Sequence, residues 1–141
     1  MLNIQFFNHD RSPNLRNKIR LKTYIFELFK KKKKKILNIS YIFCSDKHIL
    51  EINRTFLKHD YYTDVISFNL SESQKEIQAE VYISIDRVKE NAFKEKESFK
   101  KELHRVIFHG SLHLCGYNDK KEGDKAVMKK AENKYLNKYF N

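Results

Sequence analysis

Two cysteines in 141 residues are too few for a disulfide framework, so Cys44 and Cys115 point to a reducing compartment. No apolar run approaches the ~20 residues that a bilayer-spanning helix needs. The stretch Met1 to Phe7 carries neither a basic leader nor a small-residue cleavage site. A cytoplasmic protein with no membrane partner is expected. With only 3 glycines and 1 proline, the chain has no flexible linker, and no internal repeat is visible. Its length suits one core, hence one domain over residues 1–141. Acidic residues are scarce too: 18 Asp plus Glu against 29 Lys plus Arg leave a net charge of +11. Such a surface attracts polyanions, with nucleic acid favoured over an anionic membrane. A Lys- and Asn-rich compositional bias would produce the same charge, so charge alone does not decide.

What is present is enough for a core, at 40% hydrophobic and 13% aromatic residues. Leu2 to Asn8 reads as a first strand. Ser12 and Pro13 then suggest an N-cap and first helical position, for a helix whose apolar residues recur from Leu15 to Phe29. Lys30 to Lys35 close it, complementing the helix dipole. Ile36 to Cys44 alternates as a second strand, and Asp46 is expected to cap a helix through Ile49, Leu50, Ile52 and Phe56. A polar and aromatic loop, His59 to Asp64, leads to strands at Val65 to Leu70 and Glu80 to Ile85. Asp86 is expected to cap the next helix, which breaks near Glu97-Ser98 and continues to Cys115. Gly116 stops it, and a last helix covers Glu122 to Tyr139. This order predicts an α+β domain, a four-stranded mixed sheet packed with about five helices.

The chemistry concentrates in His109-Gly110-Ser111-Leu112-His113-Leu114-Cys115-Gly116-Tyr117-Asn118-Asp119. Residues i and i+4 share a helix face, so two imidazoles can reach one ion, as on the metal-site helix of zincins. The glycine stop lets Asp119 swing back toward them. Two His, one carboxylate and an open position form a catalytic rather than structural zinc set. The competing reading is a pair of packed or surface histidines. His104 lies about 140° around the helix from His109, so a role behind the ligands or at the surface is expected for it. His9, His48 and His59 read as exposed polar residues, Cys115 as a small buried hydrophobe, and Tyr117 as core. Tyr135, Leu136, Tyr139 and Phe140 read as helix packing. Gly110 stands where His-Glu-x-x-His proteases hold their general base, which argues against peptide hydrolysis.

The string His-Gly-x-Leu-His-Leu-x-Gly-Tyr resembles the signature of the YbeY family of ribosome-maturation endoribonucleases. Leu50 to Asn53, Asp60 and Thr63 to Phe68 are similar to that family's Leu-Asn…Asp-x-Pro-Thr-Asp-Val-Leu-Ser-Phe segment, and Glu80 to Ser84 to its next strand. The resemblance implies a metal-dependent endoribonuclease specific for single-stranded RNA. Its expected role is small-subunit rRNA 3′-end maturation, with the ribosome as partner and one zinc ion on His109, His113 and Asp119. Thr63 and Asp64 would line the cleft.

Two departures stand out. Asp119 replaces the family's third histidine, adding negative charge to the site. That predicts weaker polarisation of a bound water and greater tolerance of harder metals such as manganese; pH–rate profiles of Asp119→His and the parent test this. Leu57 falls where the family carries an arginine, leaving Arg54 or Lys58 to supply a substrate-binding cation. The rival readings are a zinc metalloprotease-like hydrolase and a non-catalytic ribosome-assembly factor with a structural metal.

Overall fold

The computed structural model describes residues 3–141, so Leu2 of the expected first strand lies outside the described residues. In chain order the elements are β1 (Ile4–Asn8), α1 (Lys18–Lys31), β2 (Lys35–Cys44) and α2 (Asp46–Ile52), the last running on into a π-helical turn (Asn53–Leu57). Then come β3 (Val65–Asn69), β4 (Glu76–Ser84), α3 (Ile85–Glu95), α4 (Phe99–Leu114) and α5 (Glu122–Phe140). The sheet order is β1-β2-β4-β3, with β3 antiparallel to β4 and the other pairs parallel, so it is mixed, as expected. Among the described residues no helix is long and apolar enough to cross a membrane.

Strand alternation sorts the sheet into two faces. Ile39, Tyr41 and Phe43 of β2, with Ile77, Ala79, Val81 and Ile83 of β4, join Leu21, Ile25 and Phe29 of α1 in the main core. α4 adds Leu103, Ile107 and Phe108, and α5 adds Tyr135, Leu136 and Tyr139. The opposite face buries a smaller group, Cys44, Ile49, Ile52 and Ile66, beneath α2. Val65 and Ser67, one step out of phase with Ile66, therefore face α4. Both Cys44 and Cys115 are free thiols.

Several local expectations are corrected. α1 does not begin at Ser12-Pro13, because Asn14 and Asn17 adopt left-handed backbone angles (φ 53° and 55°) that postpone the helix to Lys18. The lysine run extends past the helix: Lys31 is its last residue, Lys33 is left-handed, and Lys35 opens β2. Ser45 and Ser84, not Asp46 and Asp86, cap α2 and α3, their hydroxyls accepting from His48 N and Arg87 N. The aspartates instead cross-link the two helix starts. Asp46 accepts from Ser84 Oγ at 2.7 Å and pairs with Arg87, while Asp86 accepts from Asp46 N at 2.9 Å and pairs with Arg11. β3 ends at Asn69 rather than Leu70, and β4 begins at Glu76 rather than Glu80. His104 is neither at the surface nor behind the ligands: it is buried, stacked on Tyr139, with Nδ1 bonded to Lys100 O at 2.7 Å.

Candidate metal centre

α4 is built to carry two histidines beside the core. Ser98 caps its start, accepting from Lys101 N, and its apolar stripe turns inward. His109 and His113 sit on the flank of that stripe, half-buried, their rings 4.6 Å apart and nearly perpendicular. At the helix end Tyr117 N donates to Leu112 O (3.1 Å) and Gly116 N to His113 O (3.0 Å). This six-to-one and five-to-two closure requires a residue at positive φ, and Gly116 supplies it at +100°. The reversed chain then returns Asp119 to the histidines.

The three side chains form a near-equilateral triangle of donor atoms. His109 Nε2 lies 3.1 Å from His113 Nε2 and 3.2 Å from Asp119 Oδ2, and His113 Nε2 lies 3.3 Å from the same oxygen. Ligands about 2.0–2.1 Å from a tetrahedral zinc stand about 3.3 Å from one another. The donor chemistry and the spacing therefore fit a zinc-sized cation, and the cluster could hold one.

Behind the triangle stands a residue that sequence reasoning missed. Glu132 Oε2 lies 2.6 Å from His109 Nδ1, so the Nδ1 proton belongs to that bond and the Nε2 lone pair faces the cluster. Arg105 holds Glu132 in turn, with Nη1 3.4 Å from Oε1, and bonds Asn133 Oδ1 at 2.8 Å. Burial alone would depress the His109 imidazole. The carboxylates of Glu132, Asp64 and Asp119 outweigh it and hold His109 above the ordinary histidine value. Burial pushes the Asp64 carboxyl up, against the pull of His109, while Asn91 Nδ2 donates to it at 3.2 Å.

The four tentative substrate residues are divided by the fold. Thr63 lines a groove of about 700 Å³ on the His113 side of the cluster. Asp64 sits behind, on the His109 side. Arg54 pairs with Asp60, and Lys58 ends the π-helical turn in a left-handed conformation; neither lines the groove, whereas Leu57 does. The lysine run proves to be near the site. Lys34 lines the groove, and Lys32 Nζ donates to Tyr117 Oη at 2.6 Å.

Gly110 has a packing reason. A Cβ there would meet Val81 Cγ1 at 2.8 Å, Val65 Cγ2 at 3.1 Å and Ser67 Oγ at 3.2 Å. Helix backbone presses directly on β3 and β4, and Ser67 Oγ donates to Gly110 O at 3.1 Å to seal the contact. Cys115 packs partly against the main core, as does Tyr117.

The chain is similar to known proteins along nearly its whole length. The profile of the family described as endoribonuclease YbeY matches residues 3–140. The chain is 47% identical to an endoribonuclease YbeY from Cytophaga hutchinsonii over 133 residues, 94% of this chain and 93% of that one. It is 52% identical to the Phocaeicola vulgatus protein of the same name over 103 residues, 73% of this chain and 74% of the other. A solution structure of a Thermotoga maritima protein superposes with a TM-score of 0.69 at 30% identity, covering 97% of this chain and 89% of that one. With so complete an overlap, and the signature histidines converging as the motif demands, the chain belongs to the endoribonuclease YbeY family.

Proposed function

We propose that this chain is a metal-dependent endoribonuclease that cuts single-stranded RNA during small-subunit rRNA 3′-end maturation, with the ribosome as its partner in the cytoplasm. Residues 1–141 act as one catalytic unit. The observation that carries the reading is the triangle of His109, His113 and Asp119, with sides of 3.1–3.3 Å, in a chain of this family. These three residues would hold one zinc ion, whose contribution when bound would be Lewis-acid chemistry at a water or at the scissile phosphate.

The chain's own groups set the conditions. Glu132 keeps the His109 proton on Nδ1 and fixes the ring's direction. Arg105 keeps Glu132 in place. The net charge of +11 raises the local concentration of RNA around the site. A protease-like reading is disfavoured by more than the identity of residue 110: the helix lies too close to Val65, Ser67 and Val81 for a glutamate to fit there.

Leu57 on the groove favours a second reading, a metal-holding assembly factor that does not cleave RNA. One experiment separates the two. Metal content by mass spectrometry and cleavage of single-stranded RNA are measured for the parent, His109→Ala and His113→Ala. The first reading expects the parent to carry about one zinc and to cleave, and both variants to lose metal and cleavage together. A zinc-loaded parent that cuts no RNA would establish the second reading and sink the first.

A further inference from the structure

The metal cluster stands on a ridge between two grooves whose electrostatics differ sharply. On the His109 side, a groove of about 600 Å³ is lined by five carboxylates, Glu95, Glu97, Glu102, Asp119 and Glu132, which its four cations roughly balance. On the His113 side, among the described residues, the groove of about 700 Å³ has Lys34 and Lys120 as its charged linings and no carboxylate. A phosphodiester chain gains little from the first and is drawn to the second. Whole-molecule charge does not distinguish these sides; the local linings do.

The cationic groove also holds an aromatic platform. His59 and Tyr61 line it, their rings stacked at 5.1 Å between centroids and 20° between planes. Tyr61 Oη bonds His59 Nδ1 at 2.9 Å, which holds the stacked pair together, and Tyr61 is 55% exposed. The pair is anchored from below, because Asn53 Nδ2 donates to Tyr61 O at 2.9 Å. Asn53 is itself buried and lines the groove. Among the described residues, its Oδ1 is the buried side-chain polar atom that has no partner. Cations tracking a backbone beside an exposed aromatic face is how proteins hold unpaired nucleotides.

We propose that the His113-side groove is a nucleotide subsite, in which Lys34 and Lys120 meet the phosphates and the His59–Tyr61 pair, anchored by Asn53, stacks one unpaired base. The inference rests on the endoribonuclease reading and adds where on the surface the strand lies. A strand held here approaches the metal ligands past His113, with the charge-balanced groove beyond them left to solvent.

The test is binding of a labelled, 2′-O-methylated single-stranded decamer to metal-loaded full-length protein, read by fluorescence anisotropy at several salt concentrations. Cleavage of unmodified RNA is measured on the same preparations. Tyr61→Ala is expected to weaken binding by about 5-fold or more, from the loss of one base–aromatic stack. Tyr61→Phe, which keeps the ring, should stay within about twofold of the parent by the same argument. Lys34→Ala and Lys120→Ala should each flatten the slope of log affinity against log salt by about 0.7, and Lys125→Ala and Lys129→Ala, in the charge-balanced groove, should not. Tyr61 is exposed, so its variants should melt with the parent, which a thermal scan verifies. If the parent binds and cleaves but Tyr61→Ala and His59→Ala bind as tightly as it does, the subsite is wrong and the enzyme reading stands. The subsite is equally wrong if Lys125 and Lys129 carry the salt slope. A parent that neither binds the decamer nor cleaves RNA overturns the enzyme reading, and the subsite with it.

Discussion

At His109 one imidazole serves two masters: Nε2 faces the cluster while Nδ1 is held by Glu132. Partners of this kind typically govern metal affinity by about 10- to 100-fold. Glu132→Ala is accordingly expected to weaken zinc binding within that range, measured by competition with a chromophoric chelator; an unchanged affinity would show that Glu132 is only filling space. The residue was legible in principle. Met128, Glu132, Tyr135, Leu136 and Tyr139 form the buried stripe of α5, and a carboxylate in an apolar stripe needs a partner. Without the fold, however, nothing in the sequence names His109 as that partner. Glu102, in the groove on the His109 side, offers a pH test at a group that is not one of the three clustered residues. Burial pushes its carboxyl up to about 7 from an ordinary 4.5, with Arg105 opposing. The unfolded chain releases that proton near 4.5, so between 4.5 and about 7 the folded state binds more protons. Stability from this group is then fully present below 4.5 and falls as pH rises through that window. Glu102→Gln should therefore lose less stability than the parent between about pH 4.5 and 7.5, as denaturant midpoints will tell. Equal losses would sink the assignment.

Elements were easier to foresee than their ends. The strands and helices follow the two hydrophobic periods, 2 and 3.6, and so their order was legible. Caps were not, because Asp46 and Asp86 are as good capping types as Ser45 and Ser84, and only the Arg87 and Arg11 pairings explain why the serines win. The π-helical turn at Asn53–Leu57 was also hidden, since one extra residue barely disturbs an apolar pattern that short. The contact of α4 on the sheet is the element-scale feature most open to challenge. Gly110→Ala should cost on the order of 1–3 kcal/mol through overpacking against Val81 and Val65. Thermal melting checks this, and a variant as stable as the parent would mean that helix and sheet are less closely apposed than 2.8 Å implies.

For the molecule as a whole, the charge of +11 was compatible with a polyanion partner but neither decided for one nor said where it would lie. The grouping of His109, His113 and Asp119 was readable because all three residues fall within eleven positions, on one helix and the loop that ends it. The supporting carboxylate was not, because it returns from the far end of the chain. That topology carries a thermodynamic consequence. Asp119 lies between helices and Glu132 lies on α5, and both meet at His109 of α4. A cation bound there would act as a clasp, fastening the C-terminal helix to the middle of the protein. At free zinc about 100 times its dissociation constant, such a clasp adds about 3 kcal/mol to folding. Chelation should lower the melting temperature and hasten amide exchange first in residues 117–124, well before the sheet responds. Metal loss would then loosen the tail first, a change that precedes any unfolding of the core.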